Sequence, residues 1–115
     1  MDKIYEQTML FDFYGELLTE HQRSIYEDAV YNDLSLGEIA NERGISRQGV
    51  HDLIRRCDKI LQDYESKLHL VERFARAKET VAKIEKLTAS DAGYSDLRER
   101  LRKIEVLSHE LLDEL

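Results

Sequence analysis

The chain has 115 residues, 42% of them hydrophobic and 36% charged, with no proline. That length holds one domain with an extension and excludes two large domains, while the composition suits amphipathic helices and excludes a disordered chain. A formal charge of −7 argues against tight, nonspecific nucleic-acid binding by the chain as a whole.

Helical periodicity runs throughout, and the missing proline removes the strongest helix breaker. A first helix is expected from about Asp2 to Glu16, with Ile4, Leu10, Phe11, Phe13, Tyr14, Leu17 and Leu18 supplying apolar surface. Thr19-Glu-His-Gln22 has the form of a capping box, in which hydroxyl and amide each satisfy a backbone N–H of the other residue. It opens a second helix to about Asn32 that buries Ile25, Tyr26, Ala29 and Val30. Ser35-Leu-Gly-Glu38 repeats the device for a short helix through Ile39, Ala40 and Arg43. Gly44 follows, where a helix ends in the left-handed conformation that glycine adopts without strain.

Ile45 is then expected in the core, and Ser46 caps a fourth helix. Val50, Leu53, Ile54, Cys57, Ile60, Leu61, Tyr64, Leu68 and Val71 recur along it at spacings of three and four. No stop signal appears before about Leu87. An unbroken helix from Ser46 would span about 63 Å at 1.5 Å per residue, so its distal half needs something beyond the head to lie against. Ser90, Asp91, Gly93 and Ser95 mark a linker, after which Leu97, Leu101, Ile104, Leu107, Leu111 and Leu115 line one helical face.

The expected architecture is all-α: a helix-turn-helix domain over residues 1–61, and a helical hairpin or coiled-coil extension over 62–115 serving as a dimerisation element. The leucine seam can close within one chain or between two copies. A long helix with few core neighbours favours a homodimer, because it exposes apolar surface otherwise. No apolar run approaches the ~18 residues that cross a bilayer and no leader pattern opens the chain, so the expected place is the cytoplasm. The single cysteine, Cys57, cannot close an internal disulfide and reads as a small core hydrophobe. Tyr5, Tyr14, Tyr26, Tyr31, Tyr64 and Tyr94 read as core-edge residues.

Charge is unevenly spread. Residues 1–45 hold ten acids and three bases, whereas 46–87 hold seven acids and ten bases and 88–115 hold seven acids and four bases. The one basic segment therefore begins where the fourth helix begins. Two short helices crossing steeply over a tight turn need a small residue at the approach (Ala40), a glycine in the turn (Gly44) and aliphatics at Ile39, Ile45, Val50 and Leu53 or Ile54. All are present at the right spacing.

Leu18-Thr-Glu-His-Gln-Arg23, with Ser35-x-x-Glu-Ile-Ala40 and Gly44-Ile-Ser-Arg47, resembles the promoter-reading fourth region of bacterial sigma factors and is similar to response-regulator output domains. The chain as a whole, charged helical tail included, resembles the YlxM family of small bacterial proteins. That resemblance implies a regulatory or accessory role in the signal recognition particle pathway. As a DNA reader, the start of the fourth helix would enter the major groove. Arg47, Gln48 and His51, with Asp52 as a further candidate, would face bases, with Arg55, Arg56 and Lys59 on or near the backbone and the cap residue Ser46 completing the nucleic-acid-binding set. Arginine suits guanine and glutamine suits adenine. The resemblance adds Arg23 on the phosphate side. Gly49 departs from the sigma pattern, which carries a larger residue there, and Asp52 and Asp58 put negative charge on the helix.

Two ligand classes stay open: DNA, or the RNA or protein of the signal recognition particle and its receptor GTPase. Glu65, His69 and Glu72 share a helical face, but this spacing is that of a solvated, salt-bridged edge and matches no recognised zinc pattern. No phosphate-cradling glycine loop, nucleophile elbow or clustered Asp/His/Ser set occurs outside helix caps. The expectation is a non-enzyme with no cofactor and no metal.

Overall fold

The computed structural model describes residues 2–89 and 96–115, so the linker residues Ser90, Asp91, Gly93 and Ser95, and Tyr94, lie outside the described residues. The described residues form six α-helices and one 3-10 turn and contain no strand. They divide into two compact units, Met1–Val71 and Glu72–Leu115.

In the first unit, α1 (Lys3–Tyr14) starts on Asp2, whose carboxylate accepts the Ile4 N–H at 3.2 Å. It stops short of Glu16 because Gly15–Leu17 tighten into the 3-10 turn. The Thr19/Gln22 capping box opens α2 (Glu20–Val30), and the Ser35/Glu38 box opens α3 (Leu36–Arg43), both with reciprocal bonds formed. Gly44 takes φ 68°, and the Gly44 and Ile45 N–H groups both return to the Ala40 carbonyl. Ser46 then caps α4 (Arg47–Leu68) by accepting the Gly49 N–H at 2.9 Å.

The core lies along α4. Leu10, Tyr14, Leu18, Tyr26, Cys57 and Leu61 form one buried cluster, and Ile25, Ile39, Ala40 and Val50 form another. Leu53 and Ile54 are partly buried against both and join them. Burying these side chains takes the corner's crossing angle out of local control, because Ile25 of α2, Ile39 of α3 and Val50 of α4 must all fill one volume. Arg43 ties α3 to α2 at the edge, donating to Asp28 at 2.6 Å and to Ser24 at 2.7 Å. The Arg43 bond holds the Asp28 carboxyl below the usual carboxylate range.

Cys57 is fully buried, and burial pushes its thiol up to about 11. A thiol reagent needs the thiolate and access to it. Labelling of the native protein should therefore be slow at neutral pH and rise with denaturant in step with unfolding. Rapid labelling without denaturant would show that α4 does not pack as described.

Four apolar residues of the first unit depart from expectation: Ile4 and Leu17, expected on the apolar face of the first helix, are exposed, as are Ile45 and Leu68. Ile45 is 37% exposed. The left-handed turn at Gly44 carries it to the outside of the corner, where it borders a shallow recess with Ala40, Asn41 and Arg47. Leu68 is 46% exposed, at the last turn of α4 and past the core cluster around Leu61.

The run from Ser46 to Leu87, whose continuity the sequence leaves open, is broken. His69 adopts φ 56° between α4 and α5 (Leu70–Thr88), so Glu65 and Glu72 sit on different helices. A helix start leaves backbone donors without partners. Here the Leu70 N–H donates to the Tyr14 hydroxyl and the Val71 N–H to the Glu65 carboxylate, each at 3.0 Å. The Tyr14 hydroxyl in turn donates to the same Glu65 oxygen at 2.5 Å. Two side chains, one of them from α1, thus cap α5 where the local sequence offers no cap.

The second unit holds the rest of α5 and α6 (Leu97–Glu114), which Asp96 caps through the Arg98 N–H. Arg76, near the start of α5, reaches Glu114 at the end of α6 at 3.2 Å, so the two helices run antiparallel. The leucine seam is divided. Ile104, Leu107 and Leu111 are half-buried, while Leu97, Leu101 and Leu115 are exposed, because one partner helix covers only part of a stripe this wide.

Candidate nucleic-acid interface

The corner between α3 and α4 is fixed by its caps before any ligand arrives. Ser46 holds the first turn of α4 through Gly49. A Cβ at Gly49 would lie 3.0 Å from the Ser46 hydroxyl oxygen, a tight approach, but Gln22 and Glu38 hold the same position behind the Thr19 and Ser35 caps.

From that start, Arg47, Gln48, His51, Arg55, Arg56 and Lys59 all stand exposed on α4, whereas Val50, Cys57 and Leu61 are buried. Residues four apart share a helical face, which puts Arg47, His51, Arg55 and Lys59 along one strip that winds from the corner down the helix. Gln48 donates to Asp52 at 2.9 Å, and the His51 ring nitrogen lies 3.7 Å from the same carboxylate oxygen. A base edge that takes the Gln48 amide must displace Asp52 from it. Asp58 is half-buried and accepts from Tyr26 at 2.5 Å and from Gln7 at 3.0 Å, while still lining the recess beside the strip. Burial and this bond together raise the Tyr26 hydroxyl, which stays protonated as the donor.

Arg23 lies elsewhere. It projects from α2, pairs with Glu16 at 2.8 Å, and lines a recess with Asp12 and Glu27. Its charge is offset by these acids, and the structure groups it with none of the α4 residues. A different cation joins the strip. Lys3, at the start of α1, lines a recess with His51, Arg55, Lys59 and Gln62, and the carboxylates of Asp58 and Asp63 line it too. The Gln7–Asp58 bond sets the register that places α1 there. Lys3 carries no sequence signal for this role, since it is more than forty residues from its neighbours.

The arrangement suits a polyanion laid along α4. It has a helix start with free donors at the corner, guanidinium and imidazole groups along one face, and an ammonium reaching in from α1.

Comparison with known proteins gives the same outline. Residues 1–101 match the family UPF0122, described as "Putative helix-turn-helix protein, YlxM / p13 like". A UPF0122 protein of Shouchella clausii is 43% identical over 107 residues, covering 93% of this chain and 98% of that one. One from Clostridium botulinum is 42% identical, covering 90% of this chain and all of that one, and one from Acetivibrio thermocellus is 41% identical, covering 98% and 99%.

Proposed function

This chain belongs to the UPF0122 family of YlxM/p13-like helix-turn-helix proteins, and on that premise we propose that it is a non-enzymatic, cytoplasmic DNA-binding regulator that works as a homodimer. The observation that carries the reading is the strip of Arg47, His51, Arg55 and Lys59 on the outer face of a capped recognition helix, extended by Lys3. Ser46, Arg47, Gln48 and His51 meet base edges in the major groove. Arg55, Lys59 and Lys3 meet phosphates, and Arg56 lies at the margin. An acidic chain offering so few cations binds with modest affinity, and a pair of heads doubles the contacts.

Each phosphate neutralised contributes about 0.9 to the slope of log affinity against log salt. Titrating a fluorescent duplex at several salt concentrations should give a slope that Lys3→Ala lowers by about 0.9. Absent binding at low salt would overturn the reading, and an unchanged slope in the variant would remove Lys3 from the interface.

A second reading rests on the charge distribution, in which the basic segment 46–87, divided between α4 and α5, is flanked by acidic segments. Here the same strip meets the RNA of the signal recognition particle, and the acidic flanks meet its protein or the receptor GTPase. Co-sedimentation with the particle, and a changed rate of GTP hydrolysis by it and its receptor, would favour this reading. Neither effect, with duplex binding intact, would exclude it.

A further inference from the structure

The α5/α6 unit is short of covered apolar surface. Among its described residues only Leu87 is buried, and a helical pair of this size needs more core than one leucine. The exposed apolar residues are nonetheless ordered. On α6, half-buried Ile104, Leu107 and Leu111 face the seam with α5, while Leu97, Leu101, Leu112 and Leu115 are exposed. At about 100° per residue, the exposed set is rotated from the half-buried set in one sense. On α5, exposed Val81 is rotated in the same sense from half-buried Ala77, Thr80 and Ile84.

Because the helices run antiparallel, equal-sense rotations bring both sets to one side of the seam. The other side is polar: Arg76, Glu79, Thr80, Glu110, Asp113 and Glu114 line a recess there. The hairpin therefore has one charged side and one apolar side.

We propose that a second copy of this chain covers the apolar side, joining two hairpins into a four-helix bundle. This rests on the pairing proposed above and names its surface. Val81, Leu97, Leu101, Leu112 and Leu115 are each about half exposed or more, and covering them on two copies together with the rim would approach the roughly 1,000 Å² that a stable interface needs. The rim is mixed in sign. Lys78 and Glu85 flank Val81 on α5, and Arg98 and Glu105 flank the leucines on α6. A two-fold axis sets such a rim against its own copy, where opposite charges can meet. A partner of one sign would find no such match.

Sedimentation equilibrium on the full chain, without nucleic acid, tests this. The wild type should be a dimer, and Leu101→Glu combined with Leu112→Glu should weaken association at least 100-fold, the effect of two charges buried in an apolar interface. Val106→Glu is the control, because Val106 is 54% exposed on the far side of α6 and its substitution should leave the dimer intact. Circular dichroism checks the helix content of each variant, and Leu101→Gln alone reads the same equilibrium should the double variant unfold. A monomeric wild type overturns the pairing itself. A dimer that resists the leucine substitutions, or that Val106→Glu dissociates equally, overturns this surface and leaves the pairing standing.

Discussion

Alanine at Arg47 and Arg55 together should weaken duplex binding about 100-fold at fixed, moderate salt, the equivalent of two contacts at about 1.4 kcal/mol each. Both side chains are exposed on α4, and among the described residues neither forms an ion pair that the substitution would break. Surface changes of this kind normally shift stability by less than about 0.5 kcal/mol, so the melting temperature should hardly move. The two residues should also fail differently. Arg55 lies in the Lys3 recess, and on the proposed reading it contacts phosphate, so its loss alone should flatten the salt dependence for every sequence alike. Arg47 stands at the corner proposed to meet base edges, so its loss should weaken a preferred sequence by about 1–3 kcal/mol more than a random one. Fluorescence anisotropy on both kinds of duplex separates these effects. Binding undiminished in the double variant would move the interface off α4.

The second large effect concerns stability. Tyr14→Phe should destabilise the first unit by about 2 kcal/mol, measured by urea denaturation, with little change in the slope of the transition. The ring itself is buried and stays in place, packed with Phe13 and Tyr64. What goes is the hydroxyl that donates to Glu65 and accepts from Leu70. Removing it leaves the first N–H of α5 and a partly buried carboxylate without a partner they had, and an unmade bond in such a place costs more than a typical bond contributes.

A pH signature accompanies the change. Burial first, and the Glu65 bond second, raise the Tyr14 hydroxyl above its ordinary value of 10.0. A raised group stabilises the folded state fully below the unfolded value and loses that contribution as pH climbs through the folded one. Wild-type stability should thus fall more steeply above pH ~10 than that of Tyr14→Phe, with the raised Cys57, Tyr26 and Tyr31 supplying the decline common to both. Equal steepness would show that the hydroxyl is not held as described.

What could be read from the amino-acid sequence follows a physical division. Thr19 with Gln22, Ser35 with Glu38, Ser46, and the left-handed Gly44 were legible because each cap is made within three or four residues of the helix it serves. The break at His69 was not. Neither glycine nor proline marks it, and the groups that stabilise it include Tyr14, 56 residues before Leu70. Ile45 misled for a related reason: an aliphatic after the turn looks like core, but the backbone path set by Gly44 points it outward.

The candidate interface divides in the same way. The exposed α4 residues follow from helical spacing alone. Lys3 joins them only because α1 packs across α4 with Gln7 on Asp58, and that register is a tertiary fact. Asp58, read from the sequence as a charge opposing nucleic acid, accepts from Tyr26 and Gln7 and still lines the Lys3 recess.

Following the backbone amides of isotopically labelled protein by nuclear magnetic resonance, while a duplex is added at low salt, tests the central reading most directly. The account places the shifted signals at residues 46–59 and at Lys3, fading as salt is raised. Shifts gathered on α6 or around Arg23 with α4 silent, or no shifts at all, would contradict it.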